Sequence, residues 1–265
     1  MSSADWTGLR SIDELSRLDT FVHRRDPRAM ALATLAYVAV VMSYPPGSIS
    51  ALTPLALYPA ILIAVGRLPV RPLARRMLLA APFALAVAAA HPLLNRAPVA
   101  EVGPCHISAG WMTALSILLR FVLTVSAVLA AMACVGVDRL AVGLAGLGVA
   151  EMVAAQLSLL HRYLLVLGGE ATRMARAVAA RGGGARLPLR TWAGLAGHLL
   201  MRSLDRADRI HWAMASRGFE GRLPRTRRLQ FRAADAVFLG VCAAGFAAAR
   251  AWNLAVALGR LTGAR

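Results

Sequence analysis

From Ala29 to Gly66 the chain carries no charged residue, and the same holds from Met77 to Leu94. Crossing the roughly 30 Å of a bilayer's hydrocarbon takes about 20 mostly apolar residues in a helix, so runs of this kind restrict the chain to membrane architectures. Two more runs are each interrupted by a single arginine: Ala109–Val137, with Arg120 inside it, and Ala236–Gly259, with Arg250 late in it. Pro45, Pro46, Gly47 and Ser48 divide the first run into two short spans, 29–44 and 49–66, which read as a helical hairpin. Backbone groups in lipid must bond within their own segment, and the runs lack the alternation of barrel strands, so they are helices. The expected fold class is all-α, a polytopic membrane protein with about five transmembrane helices. A chain that is 58% hydrophobic and 16% charged fits neither disorder nor an ordinary soluble enzyme.

The charge that remains is one-sided. Thirty basic residues face 13 acidic ones, a formal +17, and every basic residue is arginine. Without lysine there is neither a Walker A loop nor a Schiff-base nucleophile. Cys105, Cys134 and Cys242 stand far apart and make neither a disulfide framework nor a zinc pattern. The first 28 residues are polar, with Asp5, Asp13, Glu14, Asp19 and Asp26 among them, and do not read as a signal peptide. Arginines crowd the N-terminal segment (Arg10, Arg17, Arg24, Arg25, Arg28) and the 67–76 loop, whereas 95–108 holds only Arg96. By the positive-inside rule the first two are cytoplasmic and 95–108 is outside.

The expected organisation is therefore a cytoplasmic segment 1–28, four transmembrane helices in 29–137, a cytoplasmic helical region 138–232, and a last span with the C-terminus in 233–265. Residues 139–232 hold 16 arginines against five acidic residues. The region is not uniformly polar, because Leu157–Leu167 is nearly apolar around His161, Arg162 and Tyr163, so parts of it are expected against the membrane or under the spans. Such a basic excess suits anionic headgroups. Nucleic acid is not an expected partner behind several spans.

An internal repeat lies in this region. Ala171–Gly182 matches Ala207–Gly218 at six of twelve positions with an offset of 36, including two arginine pairs and the terminal Arg-Gly. Helical spacing puts Met174, Val178 and Arg181 on one face of the first copy, and Ile210, Met214 and Arg217 on the same face of the second. Gly182 and Gly218 suit the left-handed position that stops a helix, which places each arginine at a last turn. An arginine there gains about 0.3–1 kcal/mol from the helix dipole alone. A matched pair asks for more: an apolar stripe that lies in a partner's groove, with a guanidinium that forks onto a carboxylate there. Two copies imply two equivalent grooves.

These residues carry a resemblance. Ala180-Arg181-Gly182 and Ser216-Arg217-Gly218, on a basic region behind N-terminal spans, resemble the paired motifs of the transmembrane T component of energy-coupling factor (ECF) transporters. Ala213–Gly221 and the Asp26-Pro27-Arg28 start before the first span resemble the cobalt/nickel type, the CbiQ family. Gly183-Gly184 after the first motif is a departure that makes that helix end looser than the second. The resemblance implies a non-catalytic subunit in the bacterial inner membrane. Its partners would be two cytoplasmic CbiO-like ATPase subunits, a substrate-binding CbiM-like S component and a small CbiN-like membrane subunit. It also implies that Ala180, Arg181, Gly182, Ser216, Arg217 and Gly218 couple the ATPases to the membrane part. ATP and magnesium are then cofactors of the partners, and this chain binds none. Three other readings stay open: a T component for vitamins, a self-contained carrier or channel, and a membrane-bound enzyme. The last lacks a Ser/His/Asp cluster or paired carboxylates at helical spacing.

Two oddities remain. His91, Cys105 and His106 fall near the outer side but have no fixed ligand spacing, so no metal site is assigned. Arg120 sits within a span, where a charge costs at least ~2.5 kcal/mol unless it meets protein, water or a headgroup. It is either a polar contact between sliding spans or a snorkelling side chain.

Overall fold

The computed structural model describes residues 20, 22–45, 49–94, 98–102, 105–182, 188–219 and 231–251. Its elements are α1 (Pro27–Met42), α2 (Ile49–Leu52), a 3-10 turn (Thr53–Ala56), α3 (Leu57–Val65), α4 (Val70–Leu94), β1 (Pro98–Val102), β2 (Cys105–Ser108), α5 (Ala109–Val135), α6 (Val137–Gly146), α7 (Glu151–Arg181), α8 (Leu189–Ala215) and α9 (Ala233–Ala251). The architecture is helical and polytopic, with one short antiparallel pair, β1 and β2, in the loop between two spans. Contacts divide the chain into a membrane unit, whose described residues run to Gly136 and resume at Phe231, and a second unit that holds α6, α7 and α8.

Among the described residues four helical segments are long and apolar enough to cross a membrane: Val70–Pro92, Gly110–Val135, Glu151–Arg181 and Ala233–Ala251, with shorter apolar helices at Pro27–Met42 and Ile49–Val65. Three bounds differ from the sequence expectation. The third span begins at Val70 rather than Met77, so Arg71, Arg75 and Arg76 ride on its first turns instead of forming a loop. Nothing in Val70–Met77 breaks a helix beyond its first turn, since Pro72 sits where a missing N–H costs nothing. The second span is interrupted at Thr53–Ala56, where Pro54 tightens the chain into a 3-10 turn. Within the region set apart as cytoplasmic, α7 is one unbroken helix of 31 residues. Its apolar Leu157–Leu167 stretch gives it the hydropathy of a span, while Arg173, Arg176 and Arg181 crowd the other half.

The membrane unit is pinned at the start of α1 and at the break after it. Asp26 caps α1 by accepting from the Arg28 N–H at 2.8 Å, with Pro27 in the first turn. The Asp26 N–H donates to Asp235 Oδ1 at 3.2 Å, and the Arg232 N–H donates to Asp235 Oδ2 at 3.0 Å. Arg25 lies 3.6 Å from the same carboxylate. Asp235 is buried, and it joins the first and last helices of the unit. Between these ends Tyr37 stacks on Tyr58 with ring centres 4.7 Å apart, and Phe246 of α9 packs against both. The two tyrosine hydroxyls of this cluster are satisfied: Tyr37 donates to the Leu55 carbonyl at 3.0 Å, and Tyr58 meets Thr34 Oγ1 at 3.0 Å. Helix α5 packs across α1, α3 and α4. Leu78, Leu79 and Phe83 of α4 are more than two-thirds exposed, a surface that hydrocarbon tolerates and water does not.

Candidate functional site

The two motif-bearing helices meet in the second unit. Glu170 on α7 is largely buried and accepts from Arg202 Nη1 at 2.9 Å and Arg206 Nη2 at 3.3 Å, both on α8. Glu170 and Arg206 are 36 residues apart, the repeat period, and each immediately precedes one copy. The helices therefore touch at equivalent points of the repeat. Leu159, Tyr163 and Leu167 of α7 and Ala207, Ile210 and Met214 of α8 line a groove of about 350 Å3 beside this contact. Since Glu170 meets Arg202 and Arg206 while the residues before it on α7 face those after them on α8, the two helices run in opposite senses. Each copy thus leads away from a shared contact, over about 16 Å of helix, to its own arginine.

The motifs sit at the helix ends as their sequence suggests. Arg181 closes α7, and Arg217 lies two residues past Ala215, the last residue of α8. Ala180, Arg181, Gly182, Ser216, Arg217 and Gly218 are all exposed. Among the described residues neither guanidinium has an ion-pair partner.

The two stops differ. Gly218 adopts φ +75, its N–H donates to the Ala215 carbonyl at 3.0 Å, and the Phe219 N–H donates to the Met214 carbonyl at 3.1 Å. This is a Schellman closure with glycine in the left-handed position. Gly182 was expected in the same conformation and is not: its φ is −93, and its N–H bonds to the Val178 carbonyl at 3.0 Å. That bond simply continues the α-helical ladder, so the first end needs no left-handed residue. Gly183, Gly184, Glu220 and Gly221 lie outside the described residues.

The apolar stripes are partly engaged within the chain. Met174, Val178, Ile210 and Met214 are all half-buried. Ile210 and Met214 face the groove shared with Leu159, Tyr163 and Leu167, so a partner meets this stripe only along the groove's open side. Reading the motifs alone missed Glu170. The signal was available: it is the acidic residue immediately before one copy, at the position where the other has arginine.

The remaining candidates part company. His91 on α4 has its Nδ1 3.0 Å from the Val87 carbonyl, one turn back. Cys105 and His106 fall on β2, with side chains outside the described part. Among the described residues no group of three His, Cys, Asp or Glu is placed to hold a metal ion. Arg120 makes a polar contact within the membrane unit: its Nη2 donates to the carbonyls of Tyr44 at 2.9 Å and Pro45 at 2.7 Å. Those carbonyls lie just past the end of α1 at Met42, in the break before the next helix, and a cation in the neighbouring span donates to them.

No curated protein matches this chain. The model of a protein family, CbiQ, described as cobalt transport protein, matches residues 19–227, which takes in all the spans but the last and both arginine motifs. With its apolar helices, this makes the chain a multi-pass membrane transport component, and it belongs to the CbiQ family of cobalt transport proteins.

Proposed function

We propose that this chain is the T component of an ATP-driven ECF-type importer for cobalt, or for the chemically similar nickel ion, and that it transmits force without chemistry of its own. The observation that carries the reading is the pair of exposed arginines, Arg181 and Arg217, at equivalent ends of two helices that meet at repeat-equivalent residues. Two equal sockets on a pair of cytoplasmic ATPases fit such a device. A socket carboxylate would take each guanidinium in a forked, charge-assisted bond, with Met174 and Val178 or Ile210 and Met214 lying beside it. When ATP draws the ATPases together, both arms are pulled at once. The Glu170 contact is the point about which they turn, and the motion passes to the S component that holds the metal. The arginine-rich N-terminus and residues 138–232 would face the cytoplasm of a bacterial inner membrane.

Arg181→Glu and Arg217→Glu, made singly and together in the assembled transporter, test this. Each single variant is expected to weaken ATPase co-purification, and the double variant to abolish both co-purification and cobalt uptake while the chain remains in the membrane. Full assembly and uptake in the double variant would reject the reading. So would uptake by the chain alone in liposomes, which belongs to a self-contained carrier.

A further inference from the structure

Two arginines of the membrane unit converge on one tyrosine. Arg120, in the middle of α5, reaches the Tyr44 and Pro45 carbonyls through Nη2. Arg250, near the end of α9, holds its guanidinium 4.9 Å from the centre of the Tyr44 ring, and the Tyr44 hydroxyl donates to the Ala249 carbonyl at 2.8 Å. Carbonyl oxygens and a ring face orient a guanidinium, but they carry no net charge. Both positive charges therefore remain. Among the described residues no carboxylate pairs with either arginine, and the buried Nε of Arg120 has no hydrogen-bond partner. A charge within apolar helices is expensive, and two like charges gathered at one side chain are more so.

The geometry points to a phosphate site at this place, held between Arg120 and Arg250 beside Tyr44 and filled by the headgroup of an anionic lipid. Guanidinium forks match phosphate oxygens, and the exposed side chain of Arg250 leaves its fork open to a phosphate beside Tyr44. Exposed Met42, two residues before Tyr44, offers the acyl chains an apolar surface next to the headgroup. A lipid bound there would bridge the end of α1 to both α5 and α9.

The test uses the purified full-length chain in detergent, stripped of lipid and titrated with dioctanoyl phosphatidylglycerol, with bound lipid read by native mass spectrometry. Dioctanoyl phosphatidylcholine and inorganic phosphate are the comparison probes. Wild type is expected to retain phosphatidylglycerol in preference to phosphatidylcholine, and Arg250→Gln to bind it about tenfold more weakly, the loss of one charged hydrogen-bonding group. Arg120→Gln is expected to do the same, with helical content checked because this arginine also holds the Tyr44 and Pro45 carbonyls after α1. Arg250→Gln stands apart from that risk and decides the matter if Arg120→Gln fails to fold. Unchanged phosphatidylglycerol binding in Arg250→Gln, or equal retention of the two lipids, would overturn the site. Displacement of bound lipid by inorganic phosphate would overturn the lipid as its source.

Discussion

The two units treat their charges in opposite ways. In the membrane unit Arg25, Asp26 and Asp235 are buried and bonded to one another's backbone or side chains, so ionic groups tie one helix to another. In the second unit Glu170 is the one buried charge among the described residues, and α8 has no fully buried residue at all. A helix of 27 residues with nothing fully buried holds its place through few contacts of its own, because helical stability in proteins comes mostly from packing. The first unit is built as a body and the second as a handle. Around Asp235 the body's charges serve its integrity. Arg181 and Arg217 of the handle are exposed and, among the described residues, carry no ion pair.

The largest stability effect is expected where that contrast is sharpest. Asp235→Ala removes the acceptor shared by the Asp26 and Arg232 N–H groups and the carboxylate, itself buried, that faces the Arg25 guanidinium at 3.6 Å. Breaking a buried ionic contact of this kind costs about 3 kcal/mol. Denaturant unfolding in detergent should show that loss, with the connection between α1 and α9 failing first. A loss below about 1 kcal/mol would mean that the knot is decorative and the body is held by its aromatic cluster instead.

The two glycines sharpen the comparison inside the handle. A side chain at Gly218 meets open space, but φ +75 makes any L residue strained, so Gly218→Ala should cost about 1–2 kcal/mol at that helix end. Gly182→Ala meets only the Val178 carbonyl at 3.5 Å and has an ordinary φ, so it should be neutral or stabilise by less than about 1 kcal/mol. Amide exchange at Phe219 should quicken about tenfold in the first variant, and exchange at Gly182's position should stay level or slow in the second. Similar effects at both ends would erase the distinction between a locked and an open stop.

Much of this was legible in the chain. Uncharged runs locate spans because lipid offers no alternative partner for a charge or a free backbone group, and α1 and α5 begin and end within a few residues of those runs. The Arg-Gly repeat located both helix ends because it is a local signal. What was not legible depends on neighbours distant in sequence. Nothing around Arg120 says that its guanidinium would reach the carbonyls at Pro45, and Asp235 reads as an ordinary first-turn acid until Asp26 is seen beside it. Gly182 failed for a subtler reason. A glycine after a helix permits the left-handed conformation without requiring it. In helix α7 the Leu157–Leu167 run, already marked as apolar in the sequence, raises the mean hydropathy to that of a span although Arg162, Arg173, Arg176 and Arg181 ride on the same helix.

The smallest expected effect concerns the point where the handle's two arms meet. Glu170 bonds to Arg202 and Arg206, whose side chains are 62% and 38% exposed, so solvent screens both pairs. Glu170→Gln should therefore cost less than about 1 kcal/mol of stability and leave the fold intact. Its consequence for transport should be larger than its consequence for stability, because it loosens the one polar contact that fixes the arms to each other. On the proposed function, cobalt uptake should fall while ATPase co-purification, assigned there to Arg181 and Arg217, stays as in the wild type. Unchanged uptake would show that the arms are held by the apolar groove of Tyr163, Leu167, Ile210 and Met214 alone. A joint loss of uptake and co-purification would place Glu170 among the groups that hold the ATPases, and the separation of body from handle would have to be redrawn with the crossing on the partner's side.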